Sequence, residues 1–155
     1  MTKELVLGFI FGISLSFISW LVAIILNSLL LKTSYYTRLH NFNFIKSKAI
    51  NELIGLRYFK WIVRNSFFKL FNQKIKLENT KVDLSTIRYE MTLSEISHLI
   101  GFLFVTIFAI IKSLSVGPVF GLAIMIPNTL LNLYPSLLQQ ENKRRIDKLN
   151  DRARH

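Results

Sequence analysis

Long apolar runs alternate along this chain with polar, basic stretches. The first run, "LVLGFIFGISLSFISWLVAIILNSLLL" from Leu5 to Leu31, holds no charged residue. A helix needs about 20 apolar residues to cross a bilayer core, so a span is predicted over 5–31. A cleavable signal peptide would have an apolar stretch of about 7–15 residues ending in a small-residue cleavage site. Here the run is longer, Lys32, Tyr35 and Tyr36 follow it, and Lys3 with Glu4 makes a weak positive start. A retained helix is expected. The second run is "LIGFLFVTIFAII", Leu99 to Ile111. It reaches membrane length only when extended back through Ile96 and Leu93, giving a span at about 93–112 that takes in Glu95 and His98. The third, "PVFGLAIMIPNTLLNLYPSLL", covers Pro118 to Leu138. The short link "KSLSVG" makes the last two an antiparallel hairpin.

The segment between the first two runs has its own period. In "NELIGLRYFKWIVRNSFFKLFNQKIKL", residues 51–77, Leu53, Leu56, Phe59 or Lys60, Val63, Phe67, Leu70 and Phe71 recur at helical spacing. Arg57, Lys60, Arg64 and Lys69 interrupt them. Rings interleaved with cations suit a helix lying at headgroup level; packing on other polar segments is the plain alternative. The expected fold is therefore an all-α membrane protein in one domain. It has three transmembrane helices, an amphipathic aromatic-basic interfacial helix and a basic, solvated tail over 141–155.

Charge orients this arrangement. The chain has 20 Lys+Arg against 9 Asp+Glu, and 51% of its residues are hydrophobic. One cation precedes the first span, 12 lie between the first and second, one sits in the hairpin link, and 6 lie in the tail. Cytoplasmic loops carry the excess of Lys and Arg. With the N-terminus out and the C-terminus in, 18 of the 20 positive charges fall on one side. The surplus thus needs no nucleic acid to explain it, and the expected location is a cell membrane, multi-pass, of the bacterial inner-membrane type. There is no cysteine, which excludes disulfides and thiolate chemistry.

Polar groups inside a membrane are costly and mark function or helix pairing. Asn128 and Asn132 are four apart on one helix face, between Pro127 and Pro135, which each permit a bend. Amide glue between helices explains both without catalysis. In "IRYEMTLSEISHLIGF", residues 87–102, Glu95 and His98 are three apart, and Arg88 lies seven before Glu95. Glu90 sits about 80° from His98 around the helix. A histidine accepts protons near neutral pH, and a carboxylate beside it can fix its tautomer. The group suits general-base activation of a hydroxyl, or else an interfacial charge cluster with Arg88 paired to the carboxylates. Glu95-Ile-Ser-His98 is a single E-x-x-H, whereas di-iron bundles use two plus further carboxylates; no metal is expected. Neither His40 nor His98 is followed by Asp at the H-x-x-x-x-D spacing common to many glycerolipid acyltransferases. No glycine-rich phosphate loop or G-x-S-x-G elbow occurs.

Three stretches carry a resemblance: "LRYFKWIVRNSFFKLFNQKIKL", "IRYEMTLSEISHLIGF" and "NTLLNLYPSLLQQENKRRIDKL". Together they resemble the glycosyl-4,4'-diaponeurosporenoate acyltransferases, small membrane proteins of staphyloxanthin-type carotenoid assembly. The third is similar to a family ending "N…YP…LQRYNR.R", matched by Asn128, Asn132, Tyr134, Pro135, Gln139, Asn142 and Arg145. Gln140-Glu141 stands where Arg-Tyr is usual. The resemblance implies transfer of a fatty acyl group onto a sugar hydroxyl of a glycosylated carotenoid or related glycolipid. His98 would then be the base and Glu95 its orienting carboxylate, with Asn132, or the deeper Asn128, donating to the carbonyl oxygen. Arg88, Glu90, Asn128, Gln139, Asn142 and Arg145 would hold the substrates. The implied partners are membrane lipids, an acyl donor acting as co-substrate and the glycolipid acceptor; no other cofactor is implied. Three helices make a thin bundle, which leaves room for a homo-oligomer or a membrane partner. The alternative is a non-catalytic accessory subunit that binds anionic lipid or a partner protein.

Overall fold

The computed structural model describes residues 1–39, 45, 48–65 and 83–153. Every element in them is helical: α1 Thr2–Leu30, α2 Tyr35–Leu39, α3 Lys48–Leu53, α4 Leu56–Asn65, α5 Leu84–Ser115, α6 Pro118–Asn128 and α7 Tyr134–Ala153. A π-helical turn, Thr129–Leu133, joins α6 to α7. Three helices are long and apolar enough to cross a membrane: Thr2–Leu30, Leu84–Ser115 and the continuous Pro118–Arg152.

The bundle is built inside out relative to a water-soluble one. The buried face of α1 is small and polar, namely Gly8, Gly12, Ser16, Ser19, Ala23 and Asn27 beside Leu15. Its outward face carries Ile18, Leu21, Ile24 and Ile25, all more than half exposed. Apolar side chains gain nothing by leaving lipid, so small residues that let backbones approach mark the helix contacts. A Cβ on Gly8 would lie 2.7 Å from the Phe120 carbonyl oxygen, and one on Gly12 would lie 2.8 Å from that of Ile124. Helices α1 and α6 therefore run parallel and in near contact, and α5 is antiparallel to both. At the far end, Gly117 caps the hairpin with φ 141°, a backbone region open to glycine. The deep apolar core is Leu15, Val105, Ala109 and Ile124.

At about 1.5 Å per residue, α5 is about 48 Å long, against a hydrocarbon core of about 30 Å. It is therefore longer than a span needs, and its first turns lie next to α7. Asp83 caps it, its side chain accepting from the Ser85 N–H at 3.1 Å. Ile87 and Met91 pack on Ile146 of α7 there. The expected solvated tail is thus mostly ordered helix, with Lys143 and Ile146 buried against α5.

Over its described residues, up to Asn65, the expected interfacial helix is broken into two helices. Gly55, at φ 78°, breaks the run between α3 and α4. Leu56, Val63 and, in part, Phe59 pack on Leu137, Leu138 and Tyr134, as their spacing predicts. Leu53, placed on the same face by period alone, is 86% exposed because the break turns α3 away. The Tyr134 hydroxyl donates to the Ile54 carbonyl at 2.6 Å and anchors the turn. Phe67, Leu70 and Phe71 lie outside the described residues.

Candidate active site

The antiparallel pairing of α5 with the third span sets the site in layers. At the outer end Arg88 Nε meets Asp147 Oδ1 at 2.6 Å. One to two turns inward, Glu95 is ion-paired with Lys143, and the Gln140 side chain lies against the same carboxylate. Next comes His98, with the Asn132 amide beside it. A Cβ on Gly101 would lie 2.9 Å from Asn132 Oδ1, so only glycine leaves room for that amide. Deepest, Asn128 Nδ2 donates to the Phe102 carbonyl at 3.1 Å and to Thr106 Oγ1 at 3.2 Å.

Helix α1 closes the third side. Trp20 Nε1 donates to Asn132 Oδ1 at 3.2 Å. Asn132 Nδ2 donates to Asn128 Oδ1 at 3.0 Å and, more weakly, to Ser19 Oγ at 3.4 Å. Tryptophan can only donate, so the atom facing it must be the amide oxygen. Both Asn132 hydrogens are consequently spent inside the bundle. Asn27 ties α1 to α5, donating to Ser97 Oγ at 2.8 Å and to the Leu93 carbonyl at 3.0 Å. Tyr36 of α2 is buried over this end, near Asn27, Tyr89 and Glu95, and burial pushes its phenol up to about 12.

The predicted site residues divide into two sets. Glu95, His98, Asn128 and Asn132 share one polar seam. Arg88 stands at its rim, and among the described residues the carboxylate it meets is Asp147. Glu95, expected to orient His98, is instead paired with Lys143. Glu90 is exposed on the outer face of α5. Arg145 is 58% exposed by side chain and pairs with Glu141, one turn back on its own helix. Gln139 and Asn142 are half-buried; the Gln139 Oε1 is buried with no hydrogen-bond partner among the described residues.

The inward stripe of the third span runs Asn128, Asn132, Ser136, Gln140, Lys143, and all five are at most 4% exposed. Steps of four drift around a regular α-helix. The π turn, with its wider i→i+5 bonding, takes up that drift and keeps Ser136 and Gln140 in line with the asparagines. Counting on by four from Asn132 reaches both, but only the π turn, which no local pattern announces, keeps them in line. Ser136 Oγ, both polar atoms of the Gln140 amide and His98 Nδ1 are buried without hydrogen-bond partners among the described residues. Each such group costs about 1–3 kcal/mol if left so. Concentrated in one seam, they mark a place built for something polar. Among the described residues no group of three or more His, Cys, Asp or Glu could hold a metal ion.

A family model described as glycosyl-4,4'-diaponeurosporenoate acyltransferase matches residues 32–152. That stretch contains Glu95, His98 and the whole polar stripe of the third span. It leaves out α1, which supplies Ser19, Trp20 and Asn27. No curated protein and no solved structure matches the chain. With well over half its length matched, the chain belongs to the glycosyl-4,4'-diaponeurosporenoate acyltransferase family.

Proposed function

We propose that this protein transfers a fatty acyl group onto a sugar hydroxyl of a glycosylated carotenoid or related glycolipid, at the cytoplasmic edge of the membrane. Family membership supports acyl transfer in carotenoid biosynthesis, and the positive-inside count supports the side. The observation that carries the chemistry is His98. It is a titratable imidazole in a polar seam near the edge of the bilayer, with Asn132 on one side and a buried Nδ1 that has no hydrogen-bond partner among the described residues.

His98 takes the proton of the acceptor hydroxyl as its oxygen attacks the acyl carbonyl carbon. The new ester C–O bond forms, the bond between acyl carbon and donor heteroatom breaks, and the imidazolium returns its proton to the leaving group. Asn132 acts as a positioning residue. Its oxygen, fixed by Trp20, faces the imidazole, and its hydrogens are already spent, so the expected donation to the carbonyl oxygen passes to another group. The Lys143 ammonium carries N–H donors on the same seam. The acyl chain stays in lipid while the head enters between α5 and α7. Membranes with His98→Ala at normal protein level should lose the acylated product; an unchanged lipid profile would favour a non-catalytic accessory subunit.

A further inference from the structure

Ser136 and Gln140 have no part in the proton transfer, yet they are among the most completely buried polar side chains of the chain, at 0% and 1% exposure. They sit one turn apart on α7, between Asn132 and Lys143. Ser136 Oγ and both Gln140 amide atoms lack hydrogen-bond partners among the described residues. The carboxylate that Gln140 lies against, Glu95, has its charge met by Lys143. The seam at this level therefore offers a hydroxyl, an amide donor, an amide acceptor and a carboxylate, with no net charge to attract an anion.

That donor and acceptor set has a natural complement. A phosphate accepts only, and would leave the Gln140 oxygen and Glu95 facing like partners. An acyl chain would leave all of these atoms unsatisfied. A group whose every oxygen both donates and accepts satisfies them together, which is the property of neighbouring sugar hydroxyls. We infer that Ser136, Gln140 and the Glu95–Lys143 pair form the subsite that grips the polyhydroxyl head of the acceptor, one helical turn from His98. Ser136 and Gln140 then set acceptor recognition and not the rate of the chemical step. This rests on the acyl-transfer reading for its purpose, but sugar binding can be measured without turnover.

The test uses the full chain in lipid nanodiscs with Trp61→Phe, an exposed position, so that Trp20 is the sole remaining tryptophan. The probe is a short-chain alkyl β-glucoside, titrated against the 1-alkanol of the same chain length. The glucoside should shift Trp20 emission saturably, and the alkanol should not. Ser136→Ala, which only removes a hydroxyl, and Gln140→Ala should each raise the half-saturation about tenfold. In turnover, both should raise acceptor KM and leave donor KM and kcat near parental values. Equal responses to glucoside and alkanol, no response to either, or unaltered half-saturation in both variants would overturn the subsite; structural water would then satisfy these atoms. His98→Ala separates the two claims, since it should bind the glucoside normally and fail to transfer. Transfer that persists in His98→Ala would sink the catalytic reading while leaving the sugar site standing.

Discussion

Trp20 Nε1 donates to Asn132 Oδ1 across 3.2 Å, joining α1 to the π turn of the third span. Because tryptophan has no acceptor, this bond fixes which end of the amide faces which neighbour. It also brings into the site a helix that lies outside the family match. Trp20→Phe keeps an aromatic ring and removes the donor. It should cost about 1–3 kcal/mol of stability from the orphaned buried oxygen and lower kcat more than it changes KM. Thermal unfolding in nanodiscs and steady-state turnover check both.

The Glu95–Lys143 pair is buried on both sides. Removing one partner leaves an uncompensated charge, so Lys143→Met should destabilise by about 3–5 kcal/mol. Glu95→Gln combined with Lys143→Met should recover most of that stability, because no lone charge remains. It should not recover acceptor binding if the pair contacts the sugar. A double-mutant cycle read by unfolding and by turnover separates the two effects.

Two glycines should behave differently. At Gly101 an added Cβ would lie 2.9 Å from Asn132 Oδ1 and 3.0 Å from Ser19 Oγ. Gly101→Ala should displace the Asn132 amide and cut turnover with a modest change in stability. At Gly117 nothing lies within 4 Å of a Cβ, but φ is 141°. Gly117→Ala should cost about 1–3 kcal/mol of backbone strain and leave turnover per folded molecule unchanged. Product formation normalised to folded protein distinguishes them.

Burial raises the Tyr36 phenol from 10.0 to about 12. The folded state thus holds that proton more tightly than the unfolded state does. The associated stability is fully present below pH 10 and is lost as pH rises through about 12. A Tyr36→Phe variant should show a smaller loss of stability over that alkaline window than the parent, measured by unfolding as a function of pH.

The three spans, their hairpin and the inward faces of Leu56, Phe59 and Val63 were legible because each rests on local period or length. Glu95, His98, Asn128 and Asn132 were legible as costly polar residues in apolar surroundings. What escaped depended on register between helices. The stripe Ser136, Gln140, Lys143 continues from Asn132 only because a π turn absorbs the drift of four-residue steps, and no local pattern announces that turn. The motif positions Gln139, Asn142 and Arg145 fall one or two residues off this stripe. Ser19, Trp20 and Asn27 were hidden in an uncharged run that length alone had explained as a span. Asp147, as the partner of Arg88, could be found only once α7 was known to run beside α5.

The most direct measurement is acyl transfer by His98→Ala against the parent, in membranes matched for protein level, with a glycolipid acceptor and products resolved by mass. A general base contributes about 10²–10⁴-fold, so the acylated product should form at least about 100-fold more slowly, with His98→Ala still folded. Product formation at the parental rate would contradict the assignment of His98 as the base.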